Sequence, residues 1–327
     1  MNSKVIKSIL NKKLNQWVES IKDDKVKQLV KKNTIVTGGS IASMLLGEEY
    51  KDIDVYFKDK QTTYLVAQYY AQEFNKAHPD KVKAFVVDGE VDFSNGTLIN
   101  PTLMREFSHN AGVLRNVTPD RVKILINSVG VVAENEDVLK APFEDAVQAI
   151  TDADHIDENA LEGVGDKKDP YRAVFLSSNA ITLADKIQLI VRFYGDPEKV
   201  HESFDFVHCT NYYDYGTKEL VLKKEALECL MAKELRYMGS KYPVCSIIRT
   251  RKFIKRGFNI NAGQYLKMMF QISQLDLTNL DVLDEQLVGV DSAYFSHLIN
   301  ALRTKQESDP TFTVDSTYLG TLIDRIF

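Results

Sequence analysis

Apolar residues follow two rhythms along this chain, and the first half switches between them repeatedly. Near the start, Val5, Ile9, Leu14, Trp17 and Ile21 recur at near-helical spacing with lysines between them, which predicts an amphipathic helix with a basic outer face. Thr34-Ile35-Val36-Thr37 is a short β-branched run that ends in Gly38-Gly39, the pattern of a buried strand entering a tight turn. A short helix is expected over 41–46, and the alternation of polar and apolar residues over 50–57 predicts a second strand with one polar face. Residues 61–77 read as a helix, and 82–87, 111–117 and 122–132 as strands. Further strands are expected at 173–176, 180–183 and 186–193, then a helix opened by Asp196-Pro197, then a strand around 204–209. From about Lys223 onward the period is mainly helical.

These elements predict an α+β fold: a small mixed-sheet core with insertions, followed by a mostly helical C-terminal part. Three segments are expected, an N-terminal helical piece at 1–33, the α/β core at 34–222 and a helical domain at 223–327. Within the core, 142–169 carries nine acids and two lysines among small residues, the composition of an exposed loop or insertion.

Composition narrows the function classes. The 327 residues are 44% hydrophobic and 27% charged with a net charge of −5, so any nucleic-acid contact requires a local basic patch. Cys209, Cys229 and Cys245 show no C-x-x-C spacing, which argues against a disulfide framework or a cysteine zinc site and for a reducing compartment. No apolar run reaches the roughly 18 residues needed to span a bilayer, and the N-terminus lacks the apolar stretch of a secretory signal. The expected location is the cytoplasm of a host cell, or a virion.

Chemistry concentrates at Gly38-Gly39-Ser40, followed after eleven residues by Asp52-Ile53-Asp54. A strand, a glycine turn and a helix start form a phosphate cradle, because glycine lets the backbone approach the oxygens while the helix N-terminus and the Ser40 hydroxyl donate. Two acids spaced by one residue on a strand share a face, where they can hold divalent metal. Each half has a plainer reading, a common α/β turn and a solubilising Asp-x-Asp on an edge strand.

In this order the motif resembles the signature of the polymerase-beta-like nucleotidyltransferase superfamily, over residues 34–57. The resemblance implies Asp52 and Asp54 as ligands of Mg²⁺ or Mn²⁺, Gly38, Gly39 and Ser40 as binders of a nucleoside triphosphate, and a third acid on a later strand that activates an acceptor hydroxyl. Asp205, in Phe204-Asp205-Phe206, is the first choice for that acid. Asp88 and Asp92 lie among turn residues that explain them. The strand Ile187-Gln188-Leu189 is the other candidate for the third-acid position, and there the carboxylate is missing, which implies binding without transfer.

From Leu235 to Leu275 there are eight Lys/Arg residues and no acid. Arg249, Lys252 and Arg256 share one helical face, with Tyr237, Tyr242, Phe253, Phe258 and Tyr265 interleaved, a surface that suits triphosphate or nucleic-acid backbone, with Phe258 available for stacking. Equally, these aromatics are helix core and the basic residues balance the acidic stretch. His201, His208 and Cys209 read as ordinary strand and helix residues, and Asn179 and Gln188 as strand amides. The chain from Phe175 to the Arg256-Gly257-Phe258 segment also resembles uncharacterised proteins of large tailed bacteriophages, which points to a viral origin and, among partners, to other virion proteins. The resulting expectation is a metal-dependent nucleotidyltransferase acting on an unknown acceptor. The alternative is a non-catalytic virion-associated, nucleotide-binding or nucleic-acid-binding protein on the same scaffold.

Overall fold

The computed structural model describes residues 1–88, 93–94, 97–98, 121–126, 131–134, 170–287 and parts of 299–321. The expected strand at 111–117, Asp92 and the whole acidic stretch 142–169 lie outside the described residues.

The chain opens with α1 (Ser3–Ser20), α2 (Asp24–Asn33), β1 (Thr34–Thr37), α3 (Gly39–Leu46), β2 (Ile53–Phe57) and α4 (Lys60–Ala77). Short strands follow: β3 (Ala84–Val87), β4 (Phe93–Ser94), β5 (Thr97–Leu98), β6 (Lys123–Ile126) and β7 (Val131–Ala133). Next come β8 (Ala173–Ser177), β9 (Ala180–Leu183), β10 (Ile187–Tyr194), α5 (Pro197–His201), β11 (Tyr212–Asp214) and β12 (Glu219–Val221). The remainder is helical: α6 (Lys224–Ala232), α7 (Pro243–Lys255), α8 (Ala262–Ile272) and α9 (Leu280–Gln286).

The mixed sheet is larger than its strand signals suggested. Eight strands run in the order β12-β11-β1-β2-β10-β9-β8-β7, with β10 parallel to β2 and the other pairs antiparallel. β3 and β6 form a separate two-stranded ladder. The central place of β2 removes the edge-strand explanation of Asp54, since both of its neighbours are hydrogen-bonded to it.

Two compact units divide the chain, residues 1–134 with 167–232, and residues 135–166 with 233–327. In the first unit, α1 is capped by Asn2, whose side chain accepts from the Val5 N–H at 3.0 Å, and it buries Ile6, Leu10, Leu14, Trp17 and Val18. Leu14, Trp17 and Ile21 of the expected stripe are buried, whereas Ile9 is half-buried and Val5 stays 42% exposed. Trp17 donates to the Tyr70 hydroxyl at 2.8 Å, which satisfies its indole inside the core. Ile53, Val55 and Phe57 of β2, Val36 of β1 and Ile187, Leu189 and Val191 of β10 face this core. Strand alternation therefore turns Ile35 and Thr37, Asp54 and Tyr56, and Gln188, Ile190 and Arg192 to the opposite face of the sheet.

The second unit has its own smaller core, with Leu280, Leu283, Leu287, Ile299, Leu302 and Val314 at its centre. Among the described residues no helix is long and apolar enough to cross a membrane.

Candidate functional site at the glycine turn

Gly38 leaves β1 with φ 106° and ψ −152°, a region that side chains other than hydrogen rarely tolerate. Its N–H donates to the Cys209 carbonyl at 3.1 Å, so the turn is pinned from behind. α3 begins at the next residue with no side-chain cap. The first N–H groups of a helix have no intrahelical partner and carry the positive end of its dipole. Ser40 in that first turn is 2% exposed, and its hydroxyl has no hydrogen-bond partner among the described residues. A buried helix start without a side-chain cap and with an unpartnered hydroxyl offers donors that an anion can use.

Asp54 stands directly against this turn. A Cβ placed on Gly38 would lie 3.0 Å from its Oδ2, so the absence of a side chain at residue 38 makes room for the carboxylate. Asp52 comes one residue before β2 rather than within it, and both acids are half-buried. Asp54 pairs in register with Gln188 on β10, and Gln188 pairs with Thr182 on β9, its amide 3.5 Å from the Thr182 hydroxyl. The position beside Asp54 on the neighbouring parallel strand is thus held by a carboxamide.

Asp54 beside the helix start, with Asp52 two residues earlier in the chain, offers carboxylates of the kind that suit Mg²⁺, which binds through one or two carboxylates and completes its shell with phosphate oxygens and water. Among the described residues no group of three histidines, cysteines or acids gathers closely enough to hold a metal ion.

The expected strand at 204–209 is absent. Asp205 sits in a bend, and Val207–Cys209 form a single 3₁₀ turn. The sequence pattern misleads because Phe204 is half-buried and Phe206 buried with no more than an isolated bridge at Phe206, and Asp205 between them is buried as well. The Phe204 ring packs 6.0 Å from Tyr56, which brings the residue next to Asp205 onto the Asp54 face of β2.

His201 is the last residue of its helix, α5, and both ring nitrogens have partners. It is 3% exposed, with Nε2 2.8 Å from the Thr37 hydroxyl and Nδ1 3.2 Å from the Lys223 ammonium. Burial, with the Lys223 charge beside it, pushes its pKa down to about 3. Nothing in the local sequence marks this contact, which joins residues far apart in the chain. Asn179 lies at the β8–β9 turn, where it accepts from Arg121 and, at 3.4 Å, from Arg192.

Comparison with known proteins decides the family. A model of the Gad2 family, described as Gabija anti-defense 2 family protein, matches residues 8–233, more than two thirds of the chain. This chain belongs to the Gad2 family. A "Gabija anti-defense 2" protein of Bacillus phage SPbetaL7 is 21% identical over 131 residues, covering 39% of this chain and 32% of the relative. The aligned region therefore spans about a third of that phage protein, whose source agrees with the phage resemblance seen in the sequence. Among solved structures, the Thermotoga maritima CCA-adding enzyme complexed with tRNA overlaps 93% of this chain and 57% of its own, with a TM-score of 0.33 and 10% identity. A tRNA-processing enzyme overlaps 99% and 63%, with a TM-score of 0.37 and 12% identity.

The Gad2 match includes Gly38, Ser40, Asp52, Asp54, His201 and Asp205 and ends at the first residue of the second unit's C-terminal stretch. Arg249 and Lys252 lie on α7, and Arg256 caps its C-terminus. Lys252 is exposed, while Arg249 and Arg256 are half-buried. Of the two readings of the interleaved aromatics, burial favours core for three of them. Tyr237, Tyr242 and Phe258 are 4%, 8% and 2% exposed and belong to the interior. Phe258 is turned inward because Gly257, at φ 81°, reverses the chain and lets the Phe258 N–H return to the Phe253 carbonyl at 3.0 Å, with the two rings 5.9 Å apart. Phe258 is not available for stacking.

Proposed function

We propose that the glycine turn and the adjoining aspartates bind a nucleoside triphosphate with a divalent cation and transfer its nucleoside monophosphate to an acceptor hydroxyl. The observation that carries this reading is the juxtaposition of Gly38 and Asp54: an uncapped, buried helix start and a carboxylate occupy the same few ångströms. Gly38, Gly39 and Ser40 hold phosphate oxygens through backbone N–H groups and the unpartnered Ser40 hydroxyl. Asp52 and Asp54 hold Mg²⁺ or Mn²⁺, which when bound offsets triphosphate charge. Asp205, whose neighbour Phe204 packs on Tyr56, is assigned the role of accepting the proton of the acceptor hydroxyl. The hydroxyl oxygen attacks the α-phosphorus, the bond to the β-phosphate oxygen breaks, and pyrophosphate leaves.

Arg249, Lys252 and Arg256 are proposed to contact phosphate groups. The Gabija anti-defense 2 family description supports a role against that defence, and we propose that the chain acts in the cytoplasm of an infected host cell.

A second reading, nucleotide binding without transfer, is favoured by Gln188, which puts an amide where the neighbouring strand would supply a third carboxylate to Asp54. One experiment separates the two. Each α-labelled nucleoside triphosphate is incubated with the full chain, Mg²⁺ or Mn²⁺ and host extract. Label joined to an acceptor, and lost in Asp54→Asn, supports transfer; tight binding with no labelled product supports the second reading. Label transfer that survives both Asp52→Asn and Asp54→Asn would falsify the metal assignment.

A further inference from the structure

We propose that His201 is the positioning residue of the glycine turn, fixing Thr37 and Gly38 through a one-way chain of hydrogen bonds that starts at Lys223. Its functional consequence rests on the nucleotide-site reading above.

The direction of the chain follows from donor chemistry. An ammonium can only donate, so at 3.2 Å from the Lys223 Nζ the His201 Nδ1 accepts. A neutral imidazole then carries its hydrogen on Nε2, which donates to the Thr37 Oγ1 at 2.8 Å. The Thr37 hydroxyl is left to donate its own hydrogen to the Asn211 carbonyl at 3.0 Å. Asn211 closes the circuit, since its side-chain oxygen accepts from the Lys223 backbone N–H at 2.8 Å. Burial keeps the imidazole neutral, and the rings of Phe204 and Tyr212, 4.9 and 6.1 Å away, hold its plane.

Thr37 is the last residue of β1, fully buried, and the next residue is Gly38 in its unusual conformation. Glycine admits this conformation among many others, so surrounding contacts must select it. His201 supplies that constraint from one side, and the Cys209 carbonyl, which accepts the Gly38 N–H, from the other. The circuit therefore sets where the phosphate cradle sits relative to Asp54.

The test uses the full chain. Backbone hydrogen exchange over residues 36–42 is compared with binding of ATP, CTP, GTP and UTP, each with Mg²⁺, in wild type, His201→Ala, His201→Gln and Thr37→Val. Loss of one buried hydrogen bond should speed exchange and weaken nucleotide binding about tenfold in His201→Ala. His201→Gln, which keeps a donor for Thr37 and an acceptor for Lys223, should recover most of both. Thr37→Val removes the hydroxyl with little change of shape and should match His201→Ala, which covers the case in which the alanine variant does not fold. Unchanged exchange over 36–42 in the folded variants overturns the proposal. Faster exchange with no nucleotide bound even by wild type upholds the positioning role and sinks the nucleotide reading instead.

Discussion

The Asp54 Oδ2 lies 3.0 Å from the point where a Cβ of residue 38 would stand. Glycine at 38 is therefore required twice, by its backbone angles and by its neighbour. Gly38→Ala should destabilise the fold by about 1–3 kcal/mol through backbone strain and push the carboxylate aside. Thermal melting and nucleotide titration check this, and an alanine variant that melts and binds like wild type would contradict it.

Asp54→Asn changes charge without changing shape on a half-buried strand position. Melting should barely shift while Mg²⁺-dependent nucleotide binding falls by at least tenfold, the ratio expected when a charge-assisted contact worth roughly 1.5–3 kcal/mol is lost. Calorimetric titration with and without the metal reads the effect directly.

Asp205→Asn separates binding from chemistry. If the carboxylate takes the acceptor proton, the variant should bind nucleotide as wild type does and lose transfer by roughly 10²–10⁴-fold. Gln188→Glu is its complement, since a third carboxylate beside Asp54 should tighten divalent-metal binding. Equal metal affinity in the glutamate variant would mean that Gln188 does not face the bound ion.

His201 gives a signed pH dependence. Its ordinary pKa of 6.5 falls to about 3 in the fold, so between those values the unfolded chain takes up a proton that the folded chain does not. Stability is present in full above the unfolded pKa and drains away on acidification, by up to about 1.4 kcal/mol per pH unit. Denaturant unfolding from neutral pH down to about pH 5 should show this slope in wild type, and a shallower one in His201→Gln.

The basic helix makes a separate prediction. If Arg249, Lys252 and Arg256 contact nucleic-acid backbone, replacing each with glutamine should reduce the salt slope of binding by about one and weaken all sequences alike. Binding that ignores salt would remove nucleic acid from the partners of this surface.

What the sequence determined by itself was local. Thr34 to Ser40 announced a strand, a glycine turn and a helix start, and Asp52-Ile53-Asp54 announced a polar face, because backbone angles and strand alternation are set by neighbours a few residues apart. The α+β class followed from the same periodicities. Tertiary structure decided everything that joins distant segments: that β10 lies parallel to β2 and sets Gln188 beside Asp54, that His201 reaches Thr37, and that Phe258 turns inward at Gly257. Asp205 shows the boundary most clearly, since alternating apolar residues looked like a strand and only the packing of Phe204 on Tyr56 revealed a bend. Strand partners, buried hydrogen-bond circuits and the choice of which aromatic faces solvent depend on which surfaces meet, and no run of neighbouring residues encodes that meeting.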